Sequence, residues 1–398
     1  NLHWQEETRH MGKRADGIRG QSETGDPLLL TPGKLTTSAA VKAVMLHDWG
    51  SRDAAFLKIS REVMDRLPEI VQGVGSHVTV PMQGSGTFAV EAMLTTFVPP
   101  DGKVLLLVNG AYGQRAKRIC EIARRAFHVH ETDEDTPPDL RRLEVILQAD
   151  LAITHVFLVH CETTSGILNP VAEVAALASK HGRGFLLDSM SAFGALPLDV
   201  RHVPVDAIAA SSNKCIEGIP GLGFVIAREA ALAKTKGNAT SLALDLHDQW
   251  QNFAKTGQYR FTPPIHVIVS FHQALMEFFA EGGQPGRGAR YRDNAEILSV
   301  GMQALGFMPL LPAKLQAPII HTFHMPKHPN FVFQTFYDAL KDSGYVIYPG
   351  KLTVADSFRI GCIGRINGDH MRGFLETTAD VLNHMGVANL RAEIRSWP

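Results

Sequence analysis

The feature that most constrains this chain is a series of short apolar runs that alternate with segments of helical spacing. The segments between the runs include "QRAKRICEIARRAF" and "NPVAEVAALASKHG", where apolar residues recur every three or four positions. Short strands that are apolar on both faces and joined by helices favour a mostly parallel sheet covered by helices on both sides. We therefore predict an α/β fold with a large, mostly parallel mixed sheet flanked by helices. The predicted strands are 103–108, 153–160, 184–188, 205–211 and 223–227.

The pattern changes near residue 282, where "EGGQPGRGARY" predicts a glycine-rich break. A chain of 398 residues is also long for a single hydrophobic core. Beyond the break we expect helices at 289–304, 330–343 and about 368–385, with strands at 318–325, 345–350 and 357–361. We expect three parts: a polar, mobile N-terminal arm at 1–27, a large domain at 28–282, and a smaller α+β domain at 283–398.

Charge and cysteine content exclude several classes of function. The formal net charge is −1, so no charged field favours nucleic acid or a membrane surface, and no apolar run reaches transmembrane length. The four cysteines form no C-x-x-C pair and predict free thiols in a reducing compartment, hence a cytoplasmic protein. The densest histidine groups, "HTFHMPKH" and "HVH", would each need a further Cys, His or carboxylate at matched spacing to bind zinc, and we expect no metal.

Three polar features follow predicted strands. In "QGSGTFAVEA" (83–92) a Gly-Ser-Gly-Thr turn opens a helix, and the free N–H groups there suit a phosphate, although many ordinary helices begin this way. Asp188 follows a strand directly, where it serves either as the partner of a cation or as a turn residue. Lys214 lies in "SSNKCIEGIPG" between two apolar runs, where a lysine needs a partner or a lowered pKa.

Together these features place the Gly-Ser-Gly-Thr turn (the phosphate cup), a carboxylate and an amine at the carboxyl ends of strands, where open α/β sheets bind ligands. They are the three groups that hold pyridoxal 5'-phosphate (PLP), a cofactor bound through a lysine Schiff base and a carboxylate beside its ring nitrogen. The alternative is a plain buried ion pair between Asp188 and Lys214, which would add little net stability. Their combination in one sheet favours the PLP interpretation.

From residue 28 to its last helix, the chain also resembles the class V aminotransferases, which are fold-type-I PLP enzymes. The resemblance is carried by "LLLTPG", "NGAYGQR", "HCETTSGILNP", "SSNKCIEGIPG", "RFTPP" and "FRIG", in addition to the Gly-Ser-Gly-Thr turn. It implies that Lys214 bonds the cofactor and moves the proton, and that Asp188 pairs with the pyridinium. The cofactor-binding residues that it implies are Ser85, Gly86, Thr87, Tyr112, Thr164, Asp188, Ser211, Asn213, Lys214, Tyr259 and Thr262.

The resemblance also implies a homodimer with shared active sites, in which Tyr259 and Thr262 complete the phosphate cup of the neighbouring subunit. Arg359 of "FRIG" would hold the anionic group of the substrate, and Gly33 would lie beside the substrate. The family often has T-P-G-P where this chain has T-P-G-K, so Lys34 leaves the choice of substrate open. Without the "FRIG" context, a surface ion-pair residue would be the favoured interpretation of Arg359.

The reaction that the resemblance implies is a two-stage transamination of small molecules. The favoured pair is 2-aminoethylphosphonate and pyruvate, which would give phosphonoacetaldehyde and L-alanine in phosphonate catabolism. An enzyme that uses alanine or serine with glyoxylate would keep the same residues and is the first alternative. A cysteine desulfurase would need a catalytic cysteine on a mobile loop. A PLP-fold scaffold protein would have no need of Lys214, Asp188 and Arg359 together.

Overall fold

The computed structural model describes residues 19–350, 352, 355–387 and 390. Its α-helices are α1 (Ala39–Ala43), α2 (Ala54–Arg66), α3 (Gly86–Phe97), α4 (Ala111–Ile122), α5 (Leu140–Ala149), α6 (Val171–Lys180), α7 (Glu229–Leu232), α8 (Leu246–Thr256), α9 (Ile265–Ala280), α10 (Gly283–Ala304), α11 (Phe333–Asp342) and α12 (Gly368–His384). Its strands are β1 (Leu28–Leu29), β2 (His77–Gln83), β3 (Lys103–Val108), β4 (Ala126–Glu131), β5 (Ile153–Val159), β6 (Cys161–Glu162), β7 (Ile167–Leu168), β8 (Gly184–Asp188), β9 (Ala207–Ser211), β10 (Leu222–Arg228), β11 (Ile320–His324), β12 (Tyr345–Val346), β13 (Tyr348–Pro349) and β14 (Ser357–Gly361).

The predicted mixed sheet is present and has seven strands in the order β2-β10-β9-β8-β5-β3-β4. From β9 to β4 every neighbouring pair is parallel, whereas β10 runs antiparallel to both β9 and β2. The prediction of a large, mostly parallel mixed sheet flanked by helices is therefore confirmed. The carboxyl ends of β5, β8 and β9 lie side by side, which brings together residues that are distant in the sequence.

The apolar runs form central strands because both faces of the sheet are buried. Along β3, Val104, Leu106 and Val108 belong to the hydrophobic cluster on one face. Leu105 and Leu107 belong to the cluster on the other face. Successive side chains of a strand point to opposite faces, so a strand covered on both sides needs an apolar residue at every position.

The C-terminal part forms a second, antiparallel sheet in the order β11-β14-β13, and β1 pairs in parallel with β12. Leu28 and Leu30 lie in the hydrophobic cluster of this C-terminal part, so β1 packs there and not on the seven-stranded sheet. The three-part division remains a prediction. Within the predicted arm, residues 19–27 contact the C-terminal part, where the Gly20 N–H donates to the Ser343 carbonyl, and residues 1–18 lie outside the described residues.

The predicted glycine-rich break is wrong, because "GQPGRGARY" is the first part of helix α10. Gly282 adopts a left-handed conformation (φ +100°) just before the helix, which glycine tolerates without steric cost. Pro285 lies in the first turn, where the N–H that proline lacks has no partner within the helix. A Cβ at Gly288 would overlap the backbone carbonyl of Ala195, so this glycine lets the helix pack closely against the loop that follows β8.

No helix among the described residues is both long and apolar enough to span a membrane.

We expect Gly288→Val to lower the free energy of unfolding by about 1–3 kcal/mol, because the added side chain meets a backbone carbonyl that no rotamer change can move. Urea denaturation measures this change. Glu296→Val is the matched control, since Glu296 is exposed on the same helix and the substitution changes only helix propensity there. Equal effects of the two substitutions would contradict the close packing at Gly288.

Candidate active site

A cavity of about 530 Å³ opens at the carboxyl ends of β5, β8 and β9, where the sequence predicted the site. The strand ends contribute Val159, Asp188 and Ser211 to its wall. Several predicted site residues that are far apart in the sequence also line this cavity. They are Gly33, Ser85, Gly86, Thr87, Tyr112, Asn213 and Lys214.

The turn at residues 84–87 presents the start of helix α3 to the cavity. Ser85 is the N-cap residue in an extended conformation, and its side chain makes no capping hydrogen bond. The first N–H groups of a helix have no partners within the helix, and they carry the positive end of its dipole. A Cβ at Gly86 would overlap the sulfur of Met190, so glycine leaves room here for that side chain. The turn is therefore suited to an oxyanion such as a phosphate.

Asp188 is 5 % exposed and ends strand β8 at the cavity. Its Oδ1 accepts a hydrogen bond from the Met190 N–H at 3.0 Å. Burial raises the pKa of Asp188 to about 6, although the Met190 N–H and the positive charges of Lys214 and Arg115 act in the opposite direction. Within the described residues no ion pair joins Asp188 to Lys214, so the buried ion-pair alternative is wrong. The carboxylate is available to a cation that enters the cavity.

The amine of Lys214 is held by a loop that lies nearly two hundred residues earlier in the sequence. Its Nζ donates to the Pro32 carbonyl at 2.5 Å, and Asn213 Nδ2 donates to the Gly33 carbonyl at 2.6 Å. A Cβ at Gly33 would lie within 3.0 Å of Lys214 Nζ, so a larger residue here would require the end of the lysine side chain to move. Burial lowers the pKa of Lys214 to about 8, even though the nearby Asp188 carboxylate favours the charged amine.

A buried group of charged residues fixes the turn that carries Lys214. Glu217 is 3 % exposed and has a left-handed backbone (φ +64°), which is strained for a residue with a side chain. Its Oε1 accepts from the Tyr291 hydroxyl at 2.5 Å and from Arg290 Nη2 at 2.7 Å, and Arg287 Nη1 lies 3.4 Å away. Arg290 also donates to two carbonyls of the loop that follows β14. The turn is thus tied to helix α10 and to the C-terminal part.

Arg115 connects two predicted cofactor-binding residues and was missed from the sequence. Its guanidinium carbon lies 4.8 Å from the centre of the Tyr112 ring, and its Nη1 donates to Thr87 Oγ1 at 3.0 Å. Because the oxygen of Thr87 accepts this hydrogen bond, the hydroxyl hydrogen of Thr87 is free to donate into the cavity. The only signal in the sequence is that Arg115 follows Tyr112 by three residues on a helix, which places both side chains on one face.

Thr164 does not line the cavity but lies behind Tyr112. Its hydroxyl donates to Glu162 Oε1 at 2.6 Å and accepts from the Ala111 N–H at 3.0 Å. The other oxygen of Glu162 accepts from the Tyr112 N–H at 3.1 Å. Glu162 is fully buried and supplies the carboxylate at the N-terminus of helix α4, where the preceding Gly110 has no side chain to cap it. Sequence reasoning missed Glu162, and the expected contact of Thr164 with the cofactor remains a prediction.

Arg359 is 2 % exposed, so it is not a surface ion-pair residue. Its Nε and Nη2 donate to the Pro349 carbonyl at 3.2 and 3.1 Å, and its Nη1 donates to the Thr163 carbonyl at 2.9 Å. It forms no ion pair with any described carboxylate; burial lowers its pKa, while the buried Glu162 carboxylate favours the charged guanidinium. The Arg359 side chain does not line the cavity, whereas the neighbouring Tyr348 does.

Tyr259 and Thr262 do not line the cavity of their own chain. Ser60 donates to the Tyr259 hydroxyl at 3.2 Å, and Gln83 Nε2 donates to the carbonyl of the exposed Thr262 at 2.5 Å. Gln83 directly precedes the turn at the start of α3, so this loop lies beside the phosphate cup on its outer side. The role of both residues in a partner subunit remains a prediction.

The residues around the cavity fit PLP. The buried carboxylate of Asp188 has no cationic partner and suits a protonated ring nitrogen, and Lys214 provides an amine of lowered pKa for the aldehyde. The uncapped helix start and the Thr87 hydroxyl suit the phosphate. Among the residues that the structure describes, no group of three or more His, Cys, Asp or Glu side chains is arranged to hold a metal ion.

Comparison with known proteins gives a consistent family. The family model described as aminotransferase class-V matches residues 42–351. A curated relative from Pseudomonas fluorescens, named 2-aminoethylphosphonate--pyruvate transaminase, is 52 % identical over 92 % of this chain and 99 % of its own length. A relative of the same name from Cupriavidus necator is 52 % identical over 93 % of this chain and 97 % of its own length.

Solved structures share the fold at lower identity. Pyridoxamine-pyruvate aminotransferase from Mesorhizobium loti has a TM-score of 0.83 at 24 % identity and covers 92 % of this chain and 94 % of its own. Alanine--glyoxylate aminotransferase from Nostoc sp. has a TM-score of 0.83 at 21 % identity and covers 94 % of this chain and 99 % of its own. At these identities the likeness concerns the fold alone.

We expect Lys214→Met to raise the melting temperature of the cofactor-free protein near neutral pH. Burial lowers the pKa of Lys214 from 10.5 to about 8, so the unfolded chain binds more protons between those two values, and wild-type stability rises with pH across that window. The penalty for the buried charge is fully present below pH 8, and the methionine variant lacks it.

Thermal denaturation of both proteins from neutral pH to about 10.5 tests this prediction, with the exposed Lys58→Met as the control. The difference in melting temperature between wild type and Lys214→Met should shrink as the pH rises through the window. A difference that is constant with pH would contradict the lowered pKa.

We expect Arg115→Met to weaken PLP binding by about 10- to 100-fold, because it removes a positive charge and the hydrogen bond that orients the Thr87 hydroxyl. Fluorescence titration of the cofactor-free protein with PLP measures the affinity. Arg118→Met is the matched control, since Arg118 lies on the same helix and pairs with Glu121 on the surface. Unchanged affinity in Arg115→Met would show that this residue does not serve the phosphate cup.

Proposed function

This chain belongs to the class V aminotransferase family, and from that premise we propose that it transfers the amino group of 2-aminoethylphosphonate to pyruvate. Membership makes it a PLP-dependent aminotransferase. The observation that carries the choice of substrates is the 52 % identity to relatives named for this reaction, over nearly their whole length. The neighbours named for glyoxylate share only the fold, so they do not favour the alanine or serine alternative.

When bound, PLP supplies an aldehyde that takes up the amino group and a ring that accepts electron density from the neighbouring carbon. Ser85, Gly86 and Thr87 would hold its phosphate, and Tyr112 would lie against its ring. Ser211 and Asn213 would complete the wall near Lys214. Asp188, which has no cation of its own, would keep the ring nitrogen protonated and so maintain the ring as an electron acceptor.

Lys214 is suited to move the proton. With a pKa of about 8, a useful fraction of the amine is neutral at physiological pH, and a base is most effective when its pKa is near the working pH. The Pro32 carbonyl directs Nζ to one side of the cavity, next to Gly33. From there Nζ would accept the proton from the amine-bearing carbon of the donor and give it to the former aldehyde carbon of the cofactor, and in the second half of the cycle it would move a proton from that carbon to the oxo acid's carbon.

The positive charge of Arg359 favours an anionic substrate. Three of its nitrogens are held by backbone carbonyls, which fix the guanidinium, and no described carboxylate forms an ion pair with it. A phosphonate and the carboxylate of pyruvate are both anions, so one cation would serve both half-reactions. The amine-bearing carbon of 2-aminoethylphosphonate carries no carboxylate, so decarboxylation does not compete with proton removal.

We further propose that the protein acts in the cytoplasm as a homodimer, in which Tyr259 and Thr262 of each chain complete the cup of the other. The exposed position of Thr262 beside Gln83, at the outer side of the phosphate turn, supports this arrangement.

The test is to mix PLP-loaded protein with 2-aminoethylphosphonate in the absence of any oxo acid and to follow the visible absorption of the bound cofactor. Loss of the band, followed by its return on adding pyruvate with formation of L-alanine, is the expected result. Alanine and serine in parallel samples, followed by glyoxylate, test the alternative pair. A band that changes with alanine or serine but not with 2-aminoethylphosphonate would contradict the proposal, and Lys214→Ala should respond to none of them.

A further inference from the structure

Lys34 places a cation at the cavity that the reaction described above does not use. It lines the cavity together with Arg115 and Lys214, whereas Asp188 is the acidic residue of the described lining. Arg115 donates to Thr87, and Lys214 donates to Pro32. The ammonium of Lys34 has no hydrogen-bond or ion-pair partner among the described residues, and the residue is exposed at the mouth. An unpaired cation at a substrate entrance is free to meet an incoming anion.

The backbone of Lys34 is fixed close to the reacting amine. The Thr31 hydroxyl donates to the Lys34 carbonyl at 2.6 Å, and the two residues between them are bound to Lys214 and Asn213 through their carbonyls. A Cβ on Gly33 would lie within 3.0 Å of Lys214 Nζ. Because consecutive Cα atoms are about 3.8 Å apart, the Cα of Lys34 lies within about 8 Å of that nitrogen. An extended lysine side chain spans roughly 6 Å. The ammonium of Lys34 can therefore reach substrate groups that lie two or three bonds from the reacting carbon.

The two proposed substrates differ in charge. Like a phosphate ester, the phosphonate group has two acidic oxygens and carries up to two negative charges as the pH rises above neutral, whereas the carboxylate of pyruvate carries one. Arg359 supplies a single positive charge, and backbone carbonyls already occupy three of its nitrogens. A dianion in this cavity therefore has one charge that Arg359 does not balance.

We propose that Lys34 is a specificity-determining residue that recognises the second negative charge of the phosphonate. This inference rests on the proposed function, since it concerns the amino donor of that reaction. Lys34 distinguishes dianionic donors from monoanionic ones of the same shape, and it contributes little to the binding of pyruvate.

Steady-state kinetics of the PLP-loaded enzyme give the first test. Lys34→Gln should raise the KM for 2-aminoethylphosphonate by about tenfold, the loss expected for one charge-assisted contact at a partly exposed site, and should change the KM for pyruvate by less than about threefold. Lys34→Arg keeps the charge and should restore most of the affinity. Lys58→Gln is the control, because Lys58 is an exposed lysine that does not line the cavity.

A second measurement separates charge recognition from a general disturbance of the loop. The probes are 2-hydroxyethylphosphonate and 2-hydroxyethylsulfonate, which are similar in shape, differ by about one charge and lack the amine needed for reaction. Wild-type enzyme should bind the phosphonate more tightly in calorimetry, and Lys34→Gln should reduce the ratio of the two affinities by about tenfold. An unchanged ratio, or equal weakening of both probes, would overturn the inference.

The two levels of the proposal fail in different ways. If wild-type enzyme does not consume 2-aminoethylphosphonate with pyruvate, the proposed function is wrong, and the inference about Lys34 falls with it. If wild-type enzyme does consume it and Lys34→Gln has the kinetics and the probe ratio of wild type, only the role of Lys34 is wrong.

Discussion

The site depends on burying the amine of Lys214 at a point where distant segments of the chain meet. Removing an ammonium from water is unfavourable, which lowers the pKa of Lys214 to about 8, and one carbonyl acceptor offsets part of that penalty. Gly33 has no side chain, which leaves room for the amine beside the loop at residues 32–33. On the other side of Lys214, the Tyr291 hydroxyl and the Arg290 guanidinium of helix α10 hold Glu217, whose backbone is strained. The C-terminal part therefore positions a residue that the large sheet carries.

The charged and polar groups around this amine lie at separate places, which suits a ligand with several functional groups. At one place Asp188 is buried without a cation, and at another the start of helix α3 offers N–H groups and the Thr87 hydroxyl, with Arg115 beside them. Arg359 and Lys34 add positive charge away from these groups, and neither forms an ion pair with a described carboxylate. The first set of groups suits a cofactor with a ring nitrogen and a phosphate. Arg359 and Lys34 suit an anionic substrate. Because they are separate from the groups that suit the cofactor, the choice of substrate can vary while the cofactor chemistry is retained.

Much of the fold was predictable, because central strands that are buried on both faces are continuously apolar. The strands at 103–108, 184–188 and 357–361 have the predicted bounds. Strand β4 was missed because it is the edge of the sheet, where half-exposed histidines interrupt the apolar pattern. The start of α10 was misread because its glycines, which normally break helices, allow close packing there.

In the site, residues at strand ends were predictable because sheet topology brings them together. Glu162 and Glu217 were missed because their roles come from contacts between distant segments, and no local pattern reports these; for Arg115 the only local signal was its spacing from Tyr112. Sequence reasoning placed Thr164 and Arg359 at the cavity, but the structure places both one layer behind it, where they are held by a carboxylate and by backbone carbonyls respectively.

The central claim is that Lys214 is the amine that bonds the cofactor. The most direct measurement is to treat the PLP-loaded protein with borohydride, digest it with a protease and locate the phosphopyridoxyl group by mass spectrometry. We expect the modification on the peptide that contains Lys214, with none on the other cavity lysine, Lys34. Modification at Lys34 instead, or an unmodified Lys214 peptide in protein that has retained the cofactor, would contradict it.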